Sequence, residues 1–195
     1  MPIIITVPHS VCIDTIDRDC DRRATTAARL LYRILIAKGC DVHLHTSDLY
    51  RSETDANRLE SRNTRWRKQL GELINTKLKT GPVFVIDVHS FPPEDGFTGS
   101  YKAYMIELWF RTNDKIYQGW SDSEKRVAKL ALNSTLGDKT DILLGDWAND
   151  IMLTSNMAGA NTVILEVNES TTVLSDTELE KLMTALANSL LQGYC

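Results

Sequence analysis

Three apolar runs in this chain each end on residues able to bind or serve a metal ion. Ile3-Ile4-Ile5-Thr6-Val7 leads into Pro8-His9-Ser10, and Val83-Phe84-Val85-Ile86 leads into Asp87-Val88-His89-Ser90. Thr162-Val163-Ile164-Leu165 leads into Glu166-Val167-Asn168. Zinc in a hydrolase keeps three protein ligands and leaves a position for water. Two imidazoles begin such a set, and the third ligand could come from the acidic cluster Asp14, Asp17, Asp19 and Asp21. Bound metal acidifies its water, and a nearby carboxylate takes the remaining proton. Glu166, closing an apolar run, would be partly desolvated and its pKa raised, which suits that base. Between these runs lie Arg51, Asp55, Asn57 and Arg58. An Arg beside an Asn suits a bidentate grip on a substrate carboxylate, and Arg51 could share that grip or polarise the scissile carbonyl.

The elements that must position these groups follow from periodicity. The three runs read as strands buried on both faces, the kind found in parallel sheets. Open α/β sheets carry their chemistry outside the carboxyl ends of the strands. Ala24, Ala27, Ala28 and Leu31 recur at helical spacing, which predicts a helix over about 21–38 stopped by Gly39. Residues 41–46 alternate like a strand, and a second helix is expected over about 57–79. Residues 102–108 read as a strand, 111–114 as a turn, and Ser121 to Glu124 as the opening of a further helix. Residues 141–144 read as a short strand, 147–157 as helical or irregular, and 176–191 as an amphipathic helix. Alternating strands and helices imply an α/β class with a mostly parallel sheet, and the whole of 1–195 reads as a single domain.

Composition narrows the function. A formal charge of -4 argues against broad phosphate neutralisation, hence against a nucleic-acid partner. Apolar stretches stay far short of a membrane span, and no charged-then-apolar leader precedes Pro2, so a cytoplasmic protein is expected. Cys12, Cys20, Cys40 and Cys195 form no Cys-x-x-Cys pair and read as free thiols. His43 and His45 share a strand face but lack a carboxylate motif and read as an exposed face. Glu169 is read as solvent-facing, as are the basic residues Arg62, Arg65, Arg67 and Lys68, while Met152 and Met157 are expected to pack in the interior. Asp87, two residues before His89, either orients an imidazole or caps a loop.

The order Pro8-His9-Ser10, an acidic residue opening a helix, Arg51-x-x-x-Asp55-x-Asn57-Arg58, Asp87-x-His89-Ser90 and Leu165-Glu166-Val167 resembles the N-formylglutamate amidohydrolase family. That family belongs with the zinc carboxypeptidase-like and aspartoacylase-like hydrolases. The resemblance implies a phosphorylase/hydrolase-like α/β fold, a mixed and mostly parallel sheet flanked by helices, holding one Zn2+ per chain. It implies His9, His89 and an acidic residue as metal ligands, with Asp21 chosen over Asp19. Placed there, Ala27, Ala28, Leu30 and Leu31 fall where the family's helix is apolar. It further implies Glu166 as general base and Asn57 with Arg58 on the substrate carboxylate, while Arg51, by its charge and place in the chain, is expected at the oxyanion. The expected reaction is cleavage of a C–N amide bond in a small N-acyl amino acid. A carboxypeptidase-like peptidase, a deacylase of larger substrates, or a non-catalytic binding protein on the same fold are the alternatives. The chain departs from the family pattern at Val11, where a glycine usually follows the Pro-His-small triplet.

Overall fold

The computed structural model describes residues 1–13, 20–93, 100–112, 115–118, 140–145, 150–193 and 195, with isolated positions 126, 129, 133 and 135. The expected helix opening at Ser121 lies outside the described residues.

Strand β1 (Ile3–Val7) sits between β2 (Val42–Thr46) and β3 (Phe84–Phe91), parallel to both. Strand β7 (Asn161–Asn168) continues the parallel set beside β3. Strand β4 (Ala103–Thr112) runs antiparallel to β7, and β5 (Lys115–Gln118) and β6 (Thr140–Gly145) both pair with β4. The sheet order is β2-β1-β3-β7-β4-β5, with β6 beside β4. A parallel neighbour requires a crossover, and helices supply it. The class is therefore α/β with a mixed, mostly parallel sheet.

One face of the sheet is covered by α1 (Ala24–Ala37) and α4 (Asp176–Gly193). Ile3, Ile5, Val7, Phe84, Ile86 and Val88 interdigitate there with Ala27, Leu31, Leu35, Leu182 and Leu186. The spacing of the α1 alanines and leucines lays one smooth stripe on the strands. Helix α1 ends where expected: Gly39 takes φ 82°, and the Cys40 amide donates back to the Leu35 carbonyl.

The other face carries α2 (Arg65–Leu78) and α3 (Asp150–Met157), with Ile4, Val83 and Val85 against Trp66, Leu70, Ile74 and Ile151. The single helix expected over 57–79 is in fact a 3-10 turn (Leu59–Asn63) followed by α2. Thr64, with ψ 155°, breaks the run, and its side chain accepts from the Arg67 amide as the α2 cap. The basic stripe is not uniformly solvated either. Arg67 is buried and donates to the Asp150 carboxylate at 2.9 Å, while Arg62 approaches the same group from the rim. Met152 is fully buried as expected, but Met157 ends α3 in solvent at 61% exposure. Trp109 and Phe110 lie on β4 and Tyr117 on β5, within one antiparallel strand pair.

All four cysteines are paired, which corrects the free-thiol expectation. Cys12 joins Cys20, and Cys40 joins Cys195 across 155 positions of sequence. Spacing alone hides the second bond because only the packing of α4 on α1 brings the chain end to the start of β2. Disulfides persist in oxidising surroundings, which weighs against the cytoplasmic expectation. Among the described residues no helix is long and apolar enough to cross a membrane. Closing so long a loop restricts the unfolded chain, so Cys40→Ser is expected to lower stability by roughly 2–4 kcal/mol. Urea unfolding without reductant reads this directly. An unchanged midpoint would show that the bond does not form.

Candidate metal centre

On the face covered by α2 and α3 the apolar strand positions give way to polar ones. Ile4 and Val85 are followed, two residues on, by Thr6 and Asp87, which are paired in register. One step further, His89 stands opposite Glu166, and Glu166 opposite Tyr104. His89 and Glu166 therefore lie within the strands, which run on to Phe91 and Asn168, rather than at the strand ends. His9 follows β1 in the turn where its carbonyl accepts from the Asp21 amide. That bond draws the residue before α1 against the end of β1.

His9, Asp21 and His89 each offer a ligand atom, all within 4.8 Å of one another, and all three residues are buried. Oδ2 of Asp21 faces Nδ1 of His89 at 2.7 Å and Nδ1 of His9 at 3.3 Å. The two rings meet edge to face, with centroids 5.2 Å apart. Nε2 of His9 lies 2.8 Å from Asp55 Oδ1, and Nε2 of His89 lies 3.1 Å from Asp87 Oδ2. Thr6 donates its hydroxyl to the other oxygen of Asp87, which is fully buried. Asp87 thus touches an imidazole rather than capping a loop.

These contacts set the charges. Burial alone would raise the pKa of Asp21, but bonds from His89 and His9 hold it well below the ordinary carboxylate range. Asp55 is likewise depressed, burial being outweighed by His9, the Asn57 amide and Arg51. Burial would lower both histidines, yet Asp87 and Asp21 raise His89 well above 6.5, and Asp21 and Asp55 raise His9. Glu166 is pushed up to about 7, first by burial and then by the neighbouring Asp21 and Asp87 carboxylates, against the pull of His89.

The remaining expected residues are partly gathered here. Arg51, 37% exposed, lies 3.4 Å from Asp21 Oδ1 and 3.7 Å from Asp55 Oδ2. Asn57 is buried, with Nδ2 3.0 Å from His89 Nε2, and Arg58 is 67% exposed with its Nε 3.5 Å from Asp55. Asp19 lies outside the described residues. Val11 bridges in parallel to Tyr50, which lines the loop after β1 against the segment bearing Arg51.

Four participants were missed by sequence reasoning. Asp55 stood inside the quoted motif without a role, and it holds His9. Ser90 donates its amide to Asp21 Oδ2 at 3.3 Å, and its hydroxyl donates to Glu169 at 2.8 Å. Glu169 also accepts from the Arg22 amide at 2.9 Å, so it latches the Asp21 segment to the sheet instead of facing solvent. Arg23 is buried and donates to the carbonyls of Asn168 and Leu174 and to Asp176. The competing pair fails for a different reason: His45 stacks on Trp66 at 5.0 Å, and His43 pairs with Asp41, so neither joins a ligand cluster.

The donor set suits a divalent ion. Two imidazole nitrogens and one carboxylate oxygen make the three-ligand pattern that leaves a coordination position open. One oxygen of Asp21 faces both imidazoles, which is the arrangement a cation enters by replacing their protons. A titration consequence follows. His9 and His89, raised above 6.5, stabilise the metal-free fold fully below 6.5 and cease to do so as pH rises through their folded values. Asp21, depressed below 3.8, stabilises above 3.8 and ceases to as pH falls through its folded value. Metal binding near neutrality must therefore expel protons and tighten as pH rises. Calorimetry in buffers of different ionisation enthalpy should show net proton release at about pH 6–7. Binding with no proton release would contradict this network.

No family model matches the sequence, and no curated protein matches it either. The fold does match solved structures. An Agrobacterium tumefaciens gene product superposes with TM-score 0.64 at 15% identity, over 98% of this chain and 89% of the other. N-formylglutamate amidohydrolase from Ralstonia eutropha superposes with TM-score 0.64 at 11% identity, over 98% and 94%. The chain shares the fold of that amidohydrolase. Succinylglutamate desuccinylase from Chromobacterium violaceum has it too, with TM-score 0.56 at 15% identity, over 97% of this chain and 60% of the desuccinylase. The α/β fold with a mixed, mostly parallel sheet that the resemblance implies is therefore the fold observed.

Proposed function

We propose that this protein is a metal-dependent hydrolase that cleaves a C–N amide bond in a small N-acyl amino acid or similar carboxylated substrate. The observation that carries the reading is the buried His9, Asp21 and His89 cluster with Glu166 in register beside it. Those three residues would hold one divalent ion, and zinc suits imidazole and carboxylate ligands. When bound, the ion supplies Lewis acidity toward the scissile carbonyl and acidifies a hydrolytic water.

The chain's own groups do the rest. Glu166 accepts the proton of the attacking water and returns it to the departing amine nitrogen. A carboxyl poised at about 7 can do both near neutral pH. Arg51, half-exposed beside Asp21, stabilises negative charge growing on the carbonyl oxygen. Arg58, at the solvent-exposed rim, pairs with the substrate carboxylate. Burial of His9, Asp21 and His89 keeps bulk water from screening the charges at the centre of the cluster.

A second reading keeps the site and enlarges the substrate to a peptide or other acylated molecule. It is favoured by the exposure of Arg51 and Arg58, 37% and 67%, which leaves the rim of the site open to a larger molecule. One assay separates the two: zinc-loaded protein with N-formyl, N-acetyl and N-succinyl amino acids beside short peptides. Acyl-amino-acid turnover abolished by chelation is the expected result. Peptide turnover alone would select the second reading, and no C–N cleavage by metal-loaded protein would refute both.

A further inference from the structure

Helix α1 begins without a cap of its own. Among the described residues Arg23, which precedes Ala24, makes no side-chain bond to the first turn, and that turn holds no acidic residue. Amides at and before a helix start have no partner within the helix. Here three successive ones are taken up by three different strands or their ends. The Asp21 amide donates to the His9 carbonyl, just past β1, at 3.1 Å. The Arg22 amide donates to Oε1 of Glu169, just past β7, at 2.9 Å. The Arg23 amide donates to the Ser90 hydroxyl, on β3, at 3.2 Å.

Ser90 and Glu169 act as one unit. An ionised carboxylate only accepts, so the single Ser90 proton points to Oε1 of Glu169 at 2.8 Å, and a hydroxyl lone pair is left for the Arg23 amide. Ser90 also turns its own amide onto Oδ2 of Asp21 at 3.3 Å, the oxygen that faces both imidazoles. Glu169 is anchored in turn, its amide donating to the Phe91 carbonyl at 2.9 Å. The Arg23 guanidinium reaches the carbonyl of Asn168, beside Glu169, at 3.2 Å. The backbone that bears Asp21 is thus fastened to the two strands that carry His89 and Glu166. Glu169 follows Glu166 by three positions, so β7 both delivers the proton acceptor and holds the segment of the carboxylate ligand.

We propose that Glu169 and Ser90 are positioning residues for the metal centre: by tying the Arg22 and Arg23 amides to β7 and β3, they fix the Asp21 carboxylate relative to His9, His89 and Glu166. Neither is among the residues whose ligand atoms converge, so both act through Asp21. A ligand already held in place loses less freedom when an ion arrives, and binding is tighter for it. The inference rests on the metal-hydrolase reading.

The test measures zinc affinity by competition with a chromophoric chelator, beside thermal melting of the metal-free protein. Glu169→Ala should weaken zinc binding by about 10-fold. Glu169→Gln keeps an oxygen that can accept from both partners and should stay near wild type. Ser90→Ala should match Glu169→Ala, and the double variant should lose no more than the larger single loss, because both act through one bridge. A lower melting temperature with full zinc affinity in folded Glu169→Ala would mark a merely structural residue and overturn the proposal. An equal loss in Glu169→Gln, or losses that add in the double variant, would overturn it too, and each of these results leaves the hydrolase reading intact. Should Glu169→Ala fail to fold, Ser90→Ala against Glu169→Gln decides in the same way. Wild type that takes up no zinc overturns both.

Discussion

Glu166→Gln is expected to lower kcat by about 10²–10⁴-fold while metal content stays at the wild-type level. The glutamine keeps the shape of the side chain but cannot take a proton from water. Glu166 stands opposite His89 in the β3–β7 register, yet it is not one of the three residues whose ligand atoms converge. Loss of rate without loss of metal is the signature of a base rather than a ligand. The pH profile supplies a second readout. The base works as carboxylate, so activity should rise with pH through a limb at about 7 or below, since a bound cation further favours the carboxylate. The residual activity of Glu166→Gln should lack that limb. Full activity in the variant would remove Glu166 from the mechanism.

The second large effect is structural. Asp150→Ala is expected to destabilise the protein by roughly 3–5 kcal/mol, because it strands a buried guanidinium. Arg67 is 7% exposed and donates to the Asp150 carboxylate, the Asp150 carbonyl, the Ala56 carbonyl and the Thr154 hydroxyl. Removing the carboxylate leaves its charge without a counterion in the low-dielectric interior. A loss of that size corresponds to a melting point lower by roughly 6–20 °C in a chain of this length. Arg62 reaches the same carboxylate from a half-exposed position, so Arg62→Ala should cost no more than about 1 kcal/mol. Equal effects from the two substitutions would show that the Arg67 pair is not the anchor. The Asp150 amide also holds the Asn57 carbonyl, so the α3 anchor and the metal centre share a strut.

The strands and the two imidazoles were legible because long apolar runs leave few other homes for Ile3–Val7 and its two companions. Residues that must be buried on both faces announce themselves by type alone. Where those strands end was misread, and for the same reason. Asp87, His89 and Glu166 interrupt hydrophobicity, which reads as the end of a strand, whereas β3 and β7 continue through them with polar groups on the face away from α1 and α4. Thr6 and His89 both bond the fully buried Asp87, and neither bond can be read from one strand alone. Interactions between distant segments were hidden altogether: the Cys40–Cys195 bond, the Arg67–Asp150 pair, and the Ser90–Glu169–Arg22 latch each join elements that only the folded sheet brings together. The choice of Asp21 rested on how the alanines and leucines of α1 would fall. Asp21 lies three residues before Ala24, the first residue of α1, with its carboxylate facing both imidazoles.

Elemental analysis after zinc loading and desalting reads out a metal held by His9, Asp21 and His89. Wild type, His9→Ala and His89→Ala should be measured together, with circular dichroism confirming that each is folded. One zinc per chain is expected in wild type and none in either variant. A folded wild type that retains no metal, or variants that retain it fully, would contradict it.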